Sequence, residues 1–198
     1  MPSLEQAGLT SLEKRATLGL AGVYGVRMLG LFMILPVFAI YATGLSGVTS
    51  TLAGLAIGIY GLTQALLQIP LGMLSDRIGR KPVILGGLAV FAFGSVVAAL
   101  SDTIYGVILG RALQGSGAIA AATLALLADL TRETVRTRVM AVVGMTIGAA
   151  FSVAMVAGPI LNEWVGVSGI FWLTAALAGM AAFIVITVIP TPTQSRRY

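Results

Sequence analysis

Six apolar runs, each of roughly 20 residues, alternate with short polar stretches, and this alternation limits the possible folds more than any other feature. Runs of this length cross a bilayer as helix, because a helix satisfies its own backbone groups where no water is available. Only 10% of the 198 residues are charged, against 58% hydrophobic. A soluble domain is usually about a quarter charged. Six buried runs in so small a soluble domain would lack the polar surface to cover them. The predicted fold class is an all-α membrane protein with six transmembrane helices.

The predicted spans run from Leu18 to Thr43, with a kink at Pro36, and from Thr51 to Leu74, with Pro70 near the end. The third starts after Pro82, a residue suited to a first helical position, and ends near Leu100. The fourth follows Asp102 as N-cap and reaches Leu127; the fifth is Val139 to Leu161 and the sixth Gly169 to Ile189. Pro190 and Pro192 stop the last helix. Residues 1–15 then form a cytoplasmic N-terminal segment, 16–190 the bundle, and 191–198 a cytoplasmic tail or the start of a linker. Thr10-Ser-Leu-Glu13 fits a capping box. With Glu5, Glu13 and no small-residue cleavage site, the N-terminus does not read as a signal peptide.

Charge sets the orientation. Lys14, Arg15, Arg77, Arg80, Lys81, Arg132, Arg136, Arg138, Arg196 and Arg197 all lie on one side of the predicted spans. The opposite loops, 44–50, 101–103 and 162–168, hold no Lys or Arg. Both termini are therefore expected in the cytoplasm. The net charge of +5 comes from these loops and suits anionic lipid rather than nucleic acid. Cysteine and histidine are absent, which removes disulfides, the commonest metal ligands and the usual near-neutral proton carrier. No nucleophile with a base and no phosphate loop is present, so no catalytic residue, metal or cofactor is expected.

Three groups of residues could carry function. The charged stretch Gly72-Met-Leu-Ser-Asp76-Arg77-Ile-Gly79-Arg80-Lys81-Pro82 cannot lie in hydrocarbon, so it is placed as the turn between the second and third spans. Arg80 could bridge Asp76 and Asp129 with its planar fork, either as a latch or as a solvated loop pair. Arg27 and Arg111 lie inside spans, at roughly 2.5–3.5 kcal/mol each on insertion scales. Either they snorkel to an interface, or they face a cavity with Gln64, Gln68 and Gln114 as neutral partners. No Asp or Glu lies in mid-span. Small residues recur at helix-packing spacing at Gly54 and Gly58, Gly106 and Gly110, and Gly144 and Gly148. Gly-Ser-Gly at 115–117 is read as packing inside an apolar helix. Arg27 to Gly30 faintly echoes Arg111 to Gly115, and Pro70 echoes Pro159, as in a 3+3 inverted repeat.

The turn Gly72–Pro82 resembles the loop motif of the major facilitator superfamily. Arg111-Ala-Leu-Gln114-Gly115 is similar to the family's fourth-span motif, whose arginine is linked to proton coupling. Gly158-Pro159 stands where the fifth-span antiporter motif would be, although Asn162-Glu163 replace a glycine pair and Ala154 replaces a glycine. The likeness covers residues 14–190. It implies half of a twelve-span fold, with Asp76, Arg80 and Asp129 in a cytoplasmic cluster that favours the outward-open state. It also implies a proton-coupled, efflux-type transporter of the bacterial inner membrane, working by alternating access with a second six-helix half. That half would be a second copy or a separate C-terminal half. The substrate would be a small molecule; Met28, Phe32, Met33 and Tyr60 would suit a lipophilic one. The other reading is a truncated or engineered half that assembles without transport of its own.

Overall fold

A computed structural model describes residues 8–190; the predicted tail at 191–198, with Arg196 and Arg197, and Glu5 lie outside them. The described residues form α1 (Ser11–Met33), α2 (Leu35–Ala42), α3 (Ser50–Ile78), α4 (Arg80–Ala99), α5 (Ile104–Ser116), α6 (Ala120–Asp129) and α7 (Glu133–Thr187). Among them there is no strand, only a single bridge between Ser46 and Thr103.

The boundaries follow local chemistry, and several depart from expectation. The Thr10–Glu13 capping box is formed as predicted. The cap of α5 is Thr103 rather than Asp102: its hydroxyl accepts from the Gly106 amide at 3.2 Å, while the Asp102 carbonyl accepts from Ser46. The first span breaks at Ile34, two residues before Pro36, which sits in the first turn of α2. The charged turn shrinks to one residue. Helix α3 runs on through Asp76 and Arg77 to Ile78, and Gly79 alone reverses the chain at φ 103. Helix α4 begins at Arg80, so Pro82 is its third residue rather than its first.

Two longer elements also differ. The fourth span is interrupted at 117–119, between α5 and α6. There Gly117 packs against the Gly87 carbonyl and Phe91, a contact that leaves no room for a side chain. The expected loop at 162–168 is helical except at Gly166, whose φ 67 and ψ 176 divide α7 into two arms. Those arms run in opposite directions along α1. In the first, Thr146 faces Gly25, Phe151 stacks edge-on against Phe32, and Gly158 meets Met33 and Pro36. In the second, Thr174 donates to the Gly30 carbonyl at 3.2 Å, and the Thr187 carbonyl accepts from Arg15 at 3.2 Å. One left-handed glycine is enough to reverse the chain, so sequence composition shows no loop there.

Of the glycine pairs, only Gly110 packs against another helix as its spacing suggested. Its α-carbon lies against α4 at Gly94 and Ala98. Gly54, Gly58, Gly144 and Gly148 have open space within 4 Å of where a Cβ would be. They lie on α3 and on the first arm of α7, helices that expose Leu62, Leu66, Ile69, Met145, Val153 and Val156.

One end of the bundle gathers the charges. There Glu13, 3% exposed, ties the start of α1 to the residue that opens α7. Its oxygens accept from Arg132 Nε at 2.8 Å, Arg132 Nη2 at 2.9 Å and the Arg132 amide at 3.0 Å. The Thr10 amide donates to the same carboxylate at 2.8 Å. Glu13 in turn raises the pKa of Arg132. Because the two side chains act as one unit, Glu13→Gln and Arg132→Ala are each expected to lower the melting temperature by similar amounts. The double variant should be no worse than either, as scored by thermal unfolding in detergent. Additive losses would mean the pair is not a unit.

Candidate functional site

Helices α1, α3, α4 and α5 meet around two guanidinium groups. Arg27 is 1% exposed and Arg111 is 2% exposed, so neither snorkels to an interface. Nη2 of Arg27 donates to the Gly117 carbonyl at 3.0 Å and to Gln64 Oε1 at 3.3 Å. The break at 117–119 thus has a use: it frees a carbonyl that a continuous helix would have engaged. Nε of Arg111 donates to the Ala56 carbonyl at 3.3 Å, and Nη1 donates to Gln114 Oε1 at 3.0 Å. Gln114 Nε2 then donates to Ser95 Oγ at 2.7 Å, and Ser95 donates to the Phe91 carbonyl at 2.9 Å.

Tyr60 links the two halves of this network. Its ring centroid lies 5.0 Å from the Arg111 guanidinium carbon and 6.0 Å from that of Arg27, while Phe91 lies 5.0 Å from Arg27. Aromatic faces stabilise desolvated cations by about 2 kcal/mol or more. The Tyr60 hydroxyl donates to Gln64 Oε1 at 2.6 Å. Gly115 packs against Thr63 and the Tyr60 carbonyl, which holds α5 close enough to α3 for these contacts.

The structure therefore brings Arg27, Gln64, Arg111, Gln114 and Gly115 together. Gln68 stays apart from the network, its Oε1 buried without a partner. Tyr60, expected only as an apolar lining residue, joins the polar network, and Ser95, Phe91 and the carbonyls of Ala56 and Gly117 join it unannounced by the sequence. The i, i+4 spacing of Tyr60 and Gln64 was a usable signal for the first; nothing local marks the two carbonyls. Two of the three Arg27 nitrogens, Nε and Nη1, have no hydrogen-bond partner.

At the charged end, Arg80 bridges Asp76 and Asp129. It pairs with Asp76 one turn before it, reaches Asp129 Oδ2 at 3.3 Å through Nε, and donates to Ser75 Oγ at 2.7 Å. The reversal at Gly79 leaves Arg80, the first residue of α4, within reach of Asp76 in the last turn of α3. Ser75 was not singled out in the sequence. Its hydroxyl also donates to the Gly72 carbonyl at 2.6 Å. Gly72 in turn lets α3 approach Ala121 of α6, the helix that ends in Asp129. Arg77 is exposed, and neither it nor Lys81 makes an ion pair among the described residues. Of the kink residues, Pro36 and Gly158 touch, while Pro159 lies exposed inside α7. No group of three His, Cys, Asp or Glu residues that could hold a metal occurs among the described residues.

Residues 20–197 match the family described as Major Facilitator Superfamily. The chain is 59% identical over 182 residues to the inner membrane transport protein YajR of Escherichia coli (strain K12), covering 92% of this chain and 40% of that protein. It is 39% identical over 134 residues to a triacylglyceride transporter of Mycolicibacterium smegmatis, covering 63% of this chain and 23% of that one. Among solved structures it resembles a bacterial homologue of the human lysosomal transporter Spinster, inward-facing and unoccupied. That match has TM-score 0.79 at 18% identity and covers 96% of this chain and 45% of the other. The chain thus spans less than half the length of these relatives.

Proposed function

The chain belongs to the major facilitator superfamily, and from that premise we propose that it supplies one half of a secondary-active, proton-coupled exporter of small lipophilic molecules. The observation that carries the proposal is the buried polar network around Arg27 and Arg111. Two cations held inside hydrocarbon-length helices, with neutral partners only, are the mark of a solute or proton path rather than of packing.

In this reading α7 crosses the membrane twice, once per arm. The chain then makes six crossings, related as two inverted groups of three around Arg27 and Arg111. The 55-residue α7 supports it, since about 80 Å of helix at 1.5 Å per residue far exceeds a hydrocarbon core of about 30 Å. The open glycine pairs and exposed apolar residues of α3 and the first arm of α7 mark where a second six-helix half would pack, whether another copy or a C-terminal half. Arg80, with Asp76 and Asp129, latches the cytoplasmic end in the outward-open state, and both termini face the cytoplasm of a bacterial inner membrane. A lipophilic substrate is supported by the relative named as a triacylglyceride transporter. An open apolar groove of about 280 Å³ between α1 and the first arm of α7, around Gly22, Gly25 and Ala150, supports it further. Without the second half the chain would assemble but not transport.

The test is efflux from proteoliposomes holding the chain assembled with its second half, with a pH gradient imposed and then dissipated. Flux should follow the gradient and stop with it. Asp76→Asn and Arg80→Ala should leave insertion intact while raising the labelling of a cavity cysteine from the cytoplasmic side, because the outward-open latch is broken. Gradient-independent flux would refute proton coupling, and unchanged labelling would refute the latch.

A further inference from the structure

We propose that Tyr60 and Gln64 on α3, backed by Arg27 and Arg111, form a binding site for the carboxylate head of an otherwise apolar substrate. This rests on the transport reading above and adds the sign of the substrate's charge. Three observations carry it.

The first is the missing counter-charge. Every acidic residue among those described lies near a helix end or break: Glu13, Asp76, Asp102, Asp129, Glu133 and Glu163. The ion pairs formed are all at the charged end, between Arg80, Arg132 or Arg136 and local carboxylates. The two cations in the middle of the bundle therefore meet only side-chain amides, carbonyls and aromatic faces. Hydrogen bonds to neutral acceptors do not cancel a charge, and in a low-dielectric interior its potential reaches well beyond its immediate contacts.

The second is the orphaned donors. Nε and Nη1 of Arg27 lack an acceptor although the residue is 1% exposed. A guanidinium carries five N–H donors, and the three on Nε and Nη1 are unused here, so the buried charge is under-satisfied by its neighbours.

The third is the direction in which Gln64 is held. Its Oε1 accepts from both Arg27 and the Tyr60 hydroxyl. That double engagement turns the oxygen inward and leaves Nε2, a donor, without a partner among the described residues. Gln64 is half-buried, whereas Arg27 behind it is fully covered. A head group arriving at this part of α3 thus meets an N–H first, with two positive charges behind it. A carboxylate gains from both. A neutral amide gains only the hydrogen bond, and an ammonium meets like charge and no acceptor.

The test uses three fluorescent compounds with one aromatic body: naphthoate, naphthamide and naphthylmethylammonium. Each is titrated by equilibrium dialysis into the purified protein in nanodiscs of uncharged lipid. Naphthoate is expected to bind about tenfold tighter than naphthamide, and the ammonium compound weakest of the three. Gln64→Leu and Arg27→Met should each bring naphthoate down to the level of naphthamide, while Arg27→Lys, which keeps the charge, should preserve the order. Equal or better binding of the neutral or cationic compound would overturn the proposal. So would no saturable binding of any compound, or a tenfold preference that survives Gln64→Leu. The transport reading fails separately: if the chain selects naphthoate yet its assembly with a second half shows no gradient-driven flux, this site stands and that function is lost.

Discussion

Gly110→Val is expected to cost about 3 kcal/mol and to leave little folded protein after solubilisation. A Cβ at Gly110 would stand 2.7 Å from both the Ala98 amide nitrogen and the Gly94 carbonyl oxygen. Seen from the other helix, a Cβ at Gly94 would stand 2.6 Å from the Gln114 nitrogen and the Gly110 oxygen. Backbone is the obstacle on both sides, so no rotamer change can relieve the clash and α4 must move away from α5. That movement would also stretch the 2.7 Å bond from Gln114 to Ser95, on which the Arg111 side of the network depends. The higher helix propensity of a residue with a side chain offsets at most about 1 kcal/mol. Gly144→Ala is the control. It has open space around it, and it should be neutral or stabilising by about 0.5–1 kcal/mol. Thermal unfolding of the two variants in the same detergent checks the contrast; equal losses would mean that the α4–α5 approach is not the close contact described.

That contrast shows what the sequence could and could not reveal. Gly106 and Gly110 have the same spacing as Gly144 and Gly148, yet only Gly110 of these four meets another helix's backbone. Spacing reports that a helix could pack closely, but the partner is a tertiary fact. Hydropathy was enough to find the apolar helices, because hydrocarbon length and backbone satisfaction leave few alternatives. It could not find their breaks. Gly166 reverses α7 with no polar loop, and Gly117 opens the fourth span. The first is set by one residue's dihedral angles and the second by a close contact with α4, while the break at Ile34, itself helical in conformation, follows from the amide that Pro36 lacks. The charges were legible for a different reason. Arg27, Arg111, Asp76, Arg80 and Asp129 are rare residues in an apolar chain, and rarity alone singled them out. What they bind depends on contacts between distant segments, such as Arg27 with Gly117 and Glu13 with Arg132.

On the proposed proton-coupled reading, Arg111→Ala is expected to lower gradient-driven flux through the assembled transporter by about a hundredfold, the scale on which a positioned group contributes to proton transfer. The inserted protein should lose far less, several-fold at most, because removing a desolvated cation offsets part of the cavity that this fully buried side chain leaves. Gln114 loses the donor to its Oε1 but keeps its bond to Ser95, and the Ala56 carbonyl belongs to the intact helix α3. What is lost is the charge over Tyr60 and the fork that joins α5 to α3. Arg111→Lys separates these two contributions. A lysine keeps the positive charge but cannot hold Ala56 and Gln114 at once in a planar geometry. Flux between that of wild type and alanine would assign part of the effect to charge and part to the link between helices. Abundance that falls in step with flux in both variants would make Arg111 a structural residue and remove the main support for a solute path at this site.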